Sequence, residues 1–127
     1  LGDVYKRQVL LDAEQVIALQ NAVTEIPVPD HVYEAIVRLV QSTRPESSSA
    51  PDYIRSYLAW GAGPRASQCL LRAARALALL RGQTSVSVEE VREVMRPVLR
   101  HRLIPNYNAT GEGVSVEDIL GRLQESL

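Results

Sequence analysis

Residues 64–82 constrain the fold of this chain more than any other stretch. They are rich in Ala and Leu, and they lie between a proline and a glycine. Pro64 suits the first position of a helix, because its φ is already helical and its missing N–H would be unpaired there anyway. Gly82 suits the left-handed residue that ends a helix. The pattern predicts one long helix over about 64–81, with one apolar side made of Ala66, Leu70, Ala73, Leu77 and Leu80.

Arg65 is unusual for the place that it occupies. A cation in the first turn of a helix is repelled by the helix dipole, at a cost of about 0.3–1 kcal/mol. The same position becomes favourable when an anion is brought there, because the free N–H groups and the guanidinium then share its charge. We therefore predict that Arg65 binds a phosphate, with Gly63 and Pro64 shaping the loop. Arg72 lies on the same helix face and is a second candidate, and the alternative for both is a solvated surface arginine.

Three further helix starts carry a capping box, in which a small polar residue precedes a Gln, Glu or Asp by three positions. The three pairs are Asp12 and Gln15, Ser87 and Glu90, and Ser115 and Asp118. The first predicts a helix over about 13–24 whose apolar face contains Val16, Leu19 and Val23. The helix that follows the Ser87 capping box is expected to be kinked or divided at Pro97.

The remaining segments complete an all-α prediction. A helix is expected to follow a cap at Asp30, and a short helix is favoured within 51–60. Trp60 is expected to pack inward and hold the Arg65 loop. At most a short strand is expected near Val86, and residues 106–113 are interpreted as a polar loop. The prediction is a small bundle of four to five helices.

Length and composition limit the classes of protein. With 127 residues, of which 46% are hydrophobic and 23% charged, the chain suits one domain. No apolar run approaches the ~18 residues of a membrane span, and no signal peptide is evident, so a cytoplasmic location is expected. Cys69 is the single cysteine, which excludes an internal disulfide, and we expect it to be a small buried residue.

The motif at residues 61–66, GAGPRA, resembles the sensor-2 motif of AAA+ ATPases in the form typical of the MoxR family. Four further segments resemble successive parts of the C-terminal lid of MoxR proteins: RAARALALLRG at 72–82, VSVEEVREV at 86–94, VLRHR at 98–102 and EGVSVEDIL at 112–120. The resemblance extends from about Val9 onward. It implies a helical AAA+ lid domain over residues 9–127, with Arg65 as the sensor-2 arginine.

The resemblance also implies a function for the parent protein. A lid packs over ATP that a separate α/β core holds together with Mg²⁺, in a chaperone-like, homo-oligomeric ring that hydrolyses ATP. A partner protein with a von Willebrand A domain is implied as well. Thr43 and Arg44 form a Thr-Arg pair that recurs in the family, but we interpret Arg44 only as a favourable cation at the end of a helix.

The chain lacks the residues that hydrolysis requires. No G-x-x-x-x-G-K-[ST] loop and no strand ending in Asp-Glu is present, so this segment should be inactive by itself and bind no cofactor alone. No catalytic residue is assigned. His31 and His101 are far apart in sequence with no accompanying cysteine, so no metal site is predicted.

Two alternatives remain at this point. A stand-alone helical interaction or nucleic-acid-binding module belongs to a different class, whereas the lids of clamp-loader and chelatase-type ATPases belong to the same one. A net charge of −1 and the absence of a helix-turn-helix pattern disfavour nucleic acid.

Residues 1–8 show no hydrophobic periodicity that continues into the rest of the chain. DVYKRQ, at residues 3–8, resembles the translated end of a transposase adapter, so we expect residues 1–8 to be non-native. The chain is then expected to be a truncated reading frame in which the part before Val9 is missing.

Overall fold

The computed structural model describes residues 7–127, and most of the expected adapter segment lies outside that range. Five helices of ten residues or more, two six-residue helices and two very short strands follow one another within it. They are α1 (Ala13–Glu25), α2 (Asp30–Ser42), α3 (Asp52–Tyr57), β1 (Leu58–Trp60), α4 (Pro64–Leu80), α5 (Val88–Leu99), β2 (Ile104–Pro105), α6 (Tyr107–Glu112) and α7 (Val116–Glu125). The predicted helical class is confirmed.

The three predicted capping boxes are all present. The Asp12 carboxylate accepts from the Gln15 N–H at 2.8 Å, and the Gln15 side chain accepts in return from the Asp12 N–H. The boxes that precede α5 and α7 have the same reciprocal form. Asp30 does not cap α2 as expected. Pro29 occupies the cap position, and Asp30 is the first helical residue. Local chemistry thus sets where these helices begin.

Helix α4 is the centre of the bundle and packs against α5, α2 and α1. Its fully buried residues form a row with a spacing of four: Ala66, Leu70, Ala74 and Ala78. The small alanine side chains allow the neighbouring helices to approach closely. The predicted inclusion of Leu80 in the buried side is wrong, since Leu80 is 84% exposed. A row with a spacing of four turns gradually around the helix, and Leu80 lies outside it.

Helix α1 forms as predicted, but none of its residues is buried. Val16 is 41% exposed, Ile17 56% and Leu19 45%. The helix lies against α4 and leaves much of its apolar surface open. Together with Val9 and Leu10, which are also exposed, α1 gives the chain an uncovered apolar surface.

The second half differs from the expectations in three places. Val86 is buried in a connection that forms no strand, and its N–H donates to the Pro27 carbonyl at 3.1 Å. The strands lie elsewhere, and Trp60 of β1 faces Ile104 of β2 in an antiparallel pair. Of the kink or division expected at Pro97, the division does not occur, since Pro97 lies in the last turn of a helix that continues to Leu99. Residues 107–112, within the expected loop, form α6 because the Asn106 side chain caps the Ala109 N–H at 3.1 Å.

Candidate functional site

Residues 61–64, the loop before α4 together with its first residue, turn the chain into that helix and are called the elbow. Gly63 is the cap residue of α4, with Pro64 at the first helical position. Gly63 has no side chain that could accept a hydrogen bond, so the first turn of α4 has no side-chain cap. Gly63, Pro64 and Arg65 are all exposed. The elbow therefore presents Arg65 at an open, electropositive helix end.

Arg65 and Arg72 differ from most arginines of the chain. Within residues 7–127, no protein group forms a hydrogen bond or salt bridge with either guanidinium. Most other arginines have such partners: Arg81 pairs with Glu90 and Glu93, Arg92 with Glu89, Arg96 and Arg100 with Glu117, and Arg44 and Arg75 donate to backbone carbonyls. The charge of Arg65 is thus available to an external anion.

The predicted juxtaposition of Arg65 and Arg72 is present. Both side chains line one shallow groove, together with Gln68 and Cys69. Cys69, expected to be a small buried residue, is only half-buried and accepts a hydrogen bond from Arg102 Nη2 at 3.4 Å. The groove continues along α4 toward α1, where Arg72 and Cys69 also line the adjoining depression. The groove of the two candidate arginines therefore adjoins Gln20, Val23 and Thr24 of α1 through Arg72 and Cys69.

The elbow is held from the end of α2. The Thr43 hydroxyl is buried, donates to the Val40 carbonyl at 2.6 Å and accepts from the Ala62 N–H at 2.9 Å. Arg44 Nε donates to the Ala62 carbonyl at 2.9 Å. A Cβ on Gly61 would overlap the Thr43 carbonyl oxygen. Two consecutive side chains that directly follow α2, Thr43 and Arg44, thus bind both backbone polar groups of Ala62.

Two expectations about the elbow are therefore corrected. Trp60 does not pack inward to hold the loop, since it is 70% exposed on the two-stranded ladder. Arg44 does more than complement the end of α2, because it bonds a carbonyl 18 positions away. The glycine that has no room for a side chain is Gly61, whereas a Cβ on Gly63 would meet nothing within 4 Å. The Thr-Arg pair in the sequence was the available signal.

Glu90 is a buried carboxylate near the C-terminal end of α4. Burial acts to raise the pKa of its carboxyl, but hydrogen bonds from the Ser87 hydroxyl and N–H, each at 2.6 Å, outweigh burial and hold the pKa below its ordinary value. Arg81 adds a salt bridge at 3.5 Å. This carboxylate has a structural role, because it caps α5 and ties it to the end of α4.

Residues 7–127 bring no three His, Cys, Asp or Glu side chains together as a metal site. None of the helices in the same range has the length and hydropathy that a bilayer crossing requires.

Comparison with known proteins identifies the class to which this fold and elbow belong. A family model described as AAA lid domain matches residues 52–123. Chaperone MoxR1 of Mycobacterium tuberculosis is 34% identical over 118 residues, which are 93% of this chain and 31% of MoxR1. Protein MoxR of Paracoccus denitrificans is 43% identical over 56 residues, which are 42% of this chain and 16% of that protein.

A solved structure agrees with these relatives. The crystal structure of a Cytophaga hutchinsonii protein proposed to be an ATPase matches with a TM-score of 0.83 and 29% identity, over 90% of this chain and 34% of that one. The chain therefore belongs to the AAA lid domain family, and its relatives place it with the lids of MoxR proteins. It spans about a third of the length of MoxR1 and of the crystallised protein.

Proposed function

We propose that this chain is the lid of a MoxR-type AAA+ ATPase and that Arg65 is its sensor-2 arginine. In this proposal, Arg65 contacts the terminal phosphates of an ATP molecule that the core domain of the longer protein holds together with Mg²⁺. The observation that carries the proposal is the exposed guanidinium of Arg65, which has no protein partner among residues 7–127 and lies at an uncapped helix N-terminus. A guanidinium in that position binds phosphate through charge-assisted hydrogen bonds.

The contact would couple the nucleotide to the position of the lid. ATP has a γ-phosphate and ADP does not, so the free energy of the Arg65 contact differs between the two states. An arginine placed on charge that develops during phosphoryl transfer also lowers the barrier to hydrolysis. Hydrolysis would thereby change the preferred angle between lid and core.

The uncovered apolar side of α1 supports the same proposal. Gln20, Val23 and Thr24 of α1 adjoin the groove at Cys69 and Arg72, so a core domain seated on α1 would cover apolar surface and place its nucleotide near both arginines. The chaperone-like homo-oligomeric ring, a von Willebrand A-domain partner and a cytoplasmic location are proposed from the MoxR relation alone. The alternative of a stand-alone interaction or nucleic-acid-binding module is disfavoured, because family membership implies a lid and the net charge is −1.

The test uses the full-length protein that contains this lid. We expect Arg65→Ala to lower kcat for ATP on the order of 100-fold, which is the effect of removing one donor that stabilises transition-state charge. Arg72→Ala is expected to have a smaller effect. Arg38→Ala is the matched control, because Arg38 is an exposed arginine of α2 that lines a different groove. Unchanged ATP turnover and an unchanged response to ADP in Arg65→Ala would overturn the proposal.

A further inference from the structure

The elbow is held by hydrogen bonds from side chains that are distant in sequence. Backbone groups next to a helix start are most often bonded by residues near them in sequence. Here the N–H and the C=O of Ala62 are both bonded by side chains about eighteen positions earlier, from Thr43 and Arg44. Ala62 is itself buried, so neither group can exchange its partner for water without disturbing the core.

Thr43 is well suited to fix a backbone position. A hydroxyl has one donor and can accept as well, and here the donor is used on the Val40 carbonyl. The hydrogen bond to Val40 sets the rotation of the hydroxyl, which leaves a lone pair directed at the Ala62 N–H. Val40 and Thr43 are both almost completely buried. The hydroxyl thus connects the elbow to a rigid helix.

We propose that Thr43 and Arg44 are positioning residues for Arg65, an inference that rests on the proposed function of Arg65. Together they form a clamp on Ala62 that fixes where the elbow begins, and Arg65 is only three residues further along. A rigid supporting contact of this kind preserves the geometry of a charged side chain at a reaction centre, where a displacement of about 1 Å can cost up to 100-fold in rate.

The first test compares Thr43→Val with Thr43→Ser in the full-length protein. Valine keeps the shape and loses the hydroxyl, so we expect kcat for ATP to fall on the order of tenfold, with KM changed less than about twofold. Serine keeps the hydroxyl and should restore most of kcat. Ser42→Ala is the matched control, because the Ser42 hydroxyl donates only to the Leu39 carbonyl of its own helix.

A double-mutant cycle separates positioning from a loss of stability. If Thr43 acts through Arg65, Thr43→Val should have almost no further effect on kcat in an Arg65→Ala background. An equal loss in both backgrounds would overturn the clamp inference and leave the function of Arg65 intact. The clamp also fails if Arg65→Ala lowers kcat and Thr43→Val does not. Should Arg65→Ala itself have no effect, the proposed function fails, and the clamp inference fails with it.

A local readout covers the case in which Thr43→Val folds poorly. Trp60 is the single tryptophan of this chain and lies two residues before Ala62. Arg44→Met keeps the aliphatic stem and removes the donor to Ala62. In the 127-residue chain, we expect this variant to lower the fluorescence anisotropy of Trp60 at urea concentrations well below the unfolding midpoint, while Ser42→Ala leaves it unchanged. Anisotropy equal to that of the unaltered chain would overturn the role of Arg44.

Discussion

The backbone N–H of Ala62 donates to the buried hydroxyl of Thr43 at 2.9 Å, across 19 positions of sequence. This hydrogen bond joins the end of α2 to the loop that begins α4. It is accompanied by a second bond, from Arg44 to the carbonyl of the same alanine. The start of the central helix is therefore fixed by tertiary contacts, and a side chain just after it, Arg65, is left exposed to the surroundings.

Gly61→Ala is expected to destabilise the chain strongly. The added Cβ would overlap the Thr43 carbonyl oxygen and approach the Arg44 backbone, so the elbow and the end of α2 would have to separate. We expect the free energy of unfolding, measured by urea denaturation, to fall by about 1–3 kcal/mol or more, as at other overpacked sites.

Gly111→Ala is the control for Gly61→Ala. A Cβ there meets nothing within 4 Å, and a helical Gly→Ala change should stabilise by about 0.5–1 kcal/mol. A cost below about 0.5 kcal/mol for Gly61→Ala would contradict the close approach.

Arg65→Ala should make the isolated chain slightly more stable, although it should impair the full-length protein. Removing a cation from the first turn of α4 relieves its repulsion by the helix dipole, which is worth about 0.3–1 kcal/mol at low salt. Arg72→Ala provides the reference, because Arg72 lies in the helix interior and the same residue type is removed. The difference between the two variants in urea denaturation should shrink at about 1 M NaCl, where charges are screened within about 3 Å. A clear loss of stability in Arg65→Ala would instead indicate a structural contact.

The sequence was most informative where structure depends on neighbouring residues. The capping boxes at Asp12, Ser87 and Ser115 are contacts between positions three apart, so the residue types alone indicate them. The start of α4 at Pro64 follows from the fixed φ of proline in the same way. These local rules correctly predicted the starts of four of the five longer helices, and with them the helical class.

The errors concern contacts between distant parts of the chain. Trp60 was expected to hold the elbow because aromatic residues are usually buried. The Thr-Arg pair is visible in the sequence, but no local rule indicates that it contacts Ala62, which lies 18 and 19 positions away. Periodicity also predicted the apolar face of α1 without indicating what covers it. Both errors have one cause, because an apolar or polar pattern specifies a face and does not specify its partner.

The stability of the chain should depend on pH through Glu90. Its pKa is lowered in the folded state, so its contribution to stability is complete above its ordinary value of 4.5 and is lost as the pH falls through the folded value. Glu90→Gln removes this titration and weakens the bonds from Ser87, and it should cost about 1–3 kcal/mol near neutral pH. The difference between Glu90→Gln and the unaltered chain should shrink in urea denaturation at about pH 3.

Glu93→Gln is the control for that measurement. Glu93 pairs with the same arginine, Arg81, but its side chain is 48% exposed, so its loss should cost less than about 1 kcal/mol. A constant difference between Glu90→Gln and the unaltered chain across the acidic range would contradict the assignment of the pH dependence to Glu90.

Substitutions at Ile17 test whether the core domain covers α1 in the full-length protein. In the 127-residue chain, Ile17 is 56% exposed, so Ile17→Ala should change the free energy of unfolding by less than about 0.5 kcal/mol. Ile36→Ala removes a side chain that is 2% exposed and should cost about 2–5 kcal/mol.

In the full-length protein, a core domain seated on α1 should slow hydrogen exchange of the α1 amides relative to the isolated chain. Ile17→Asp should abolish that extra protection, because a carboxylate would be buried without a partner. Equal exchange of α1 in the two proteins would show that the apolar side of α1 is not where the core docks.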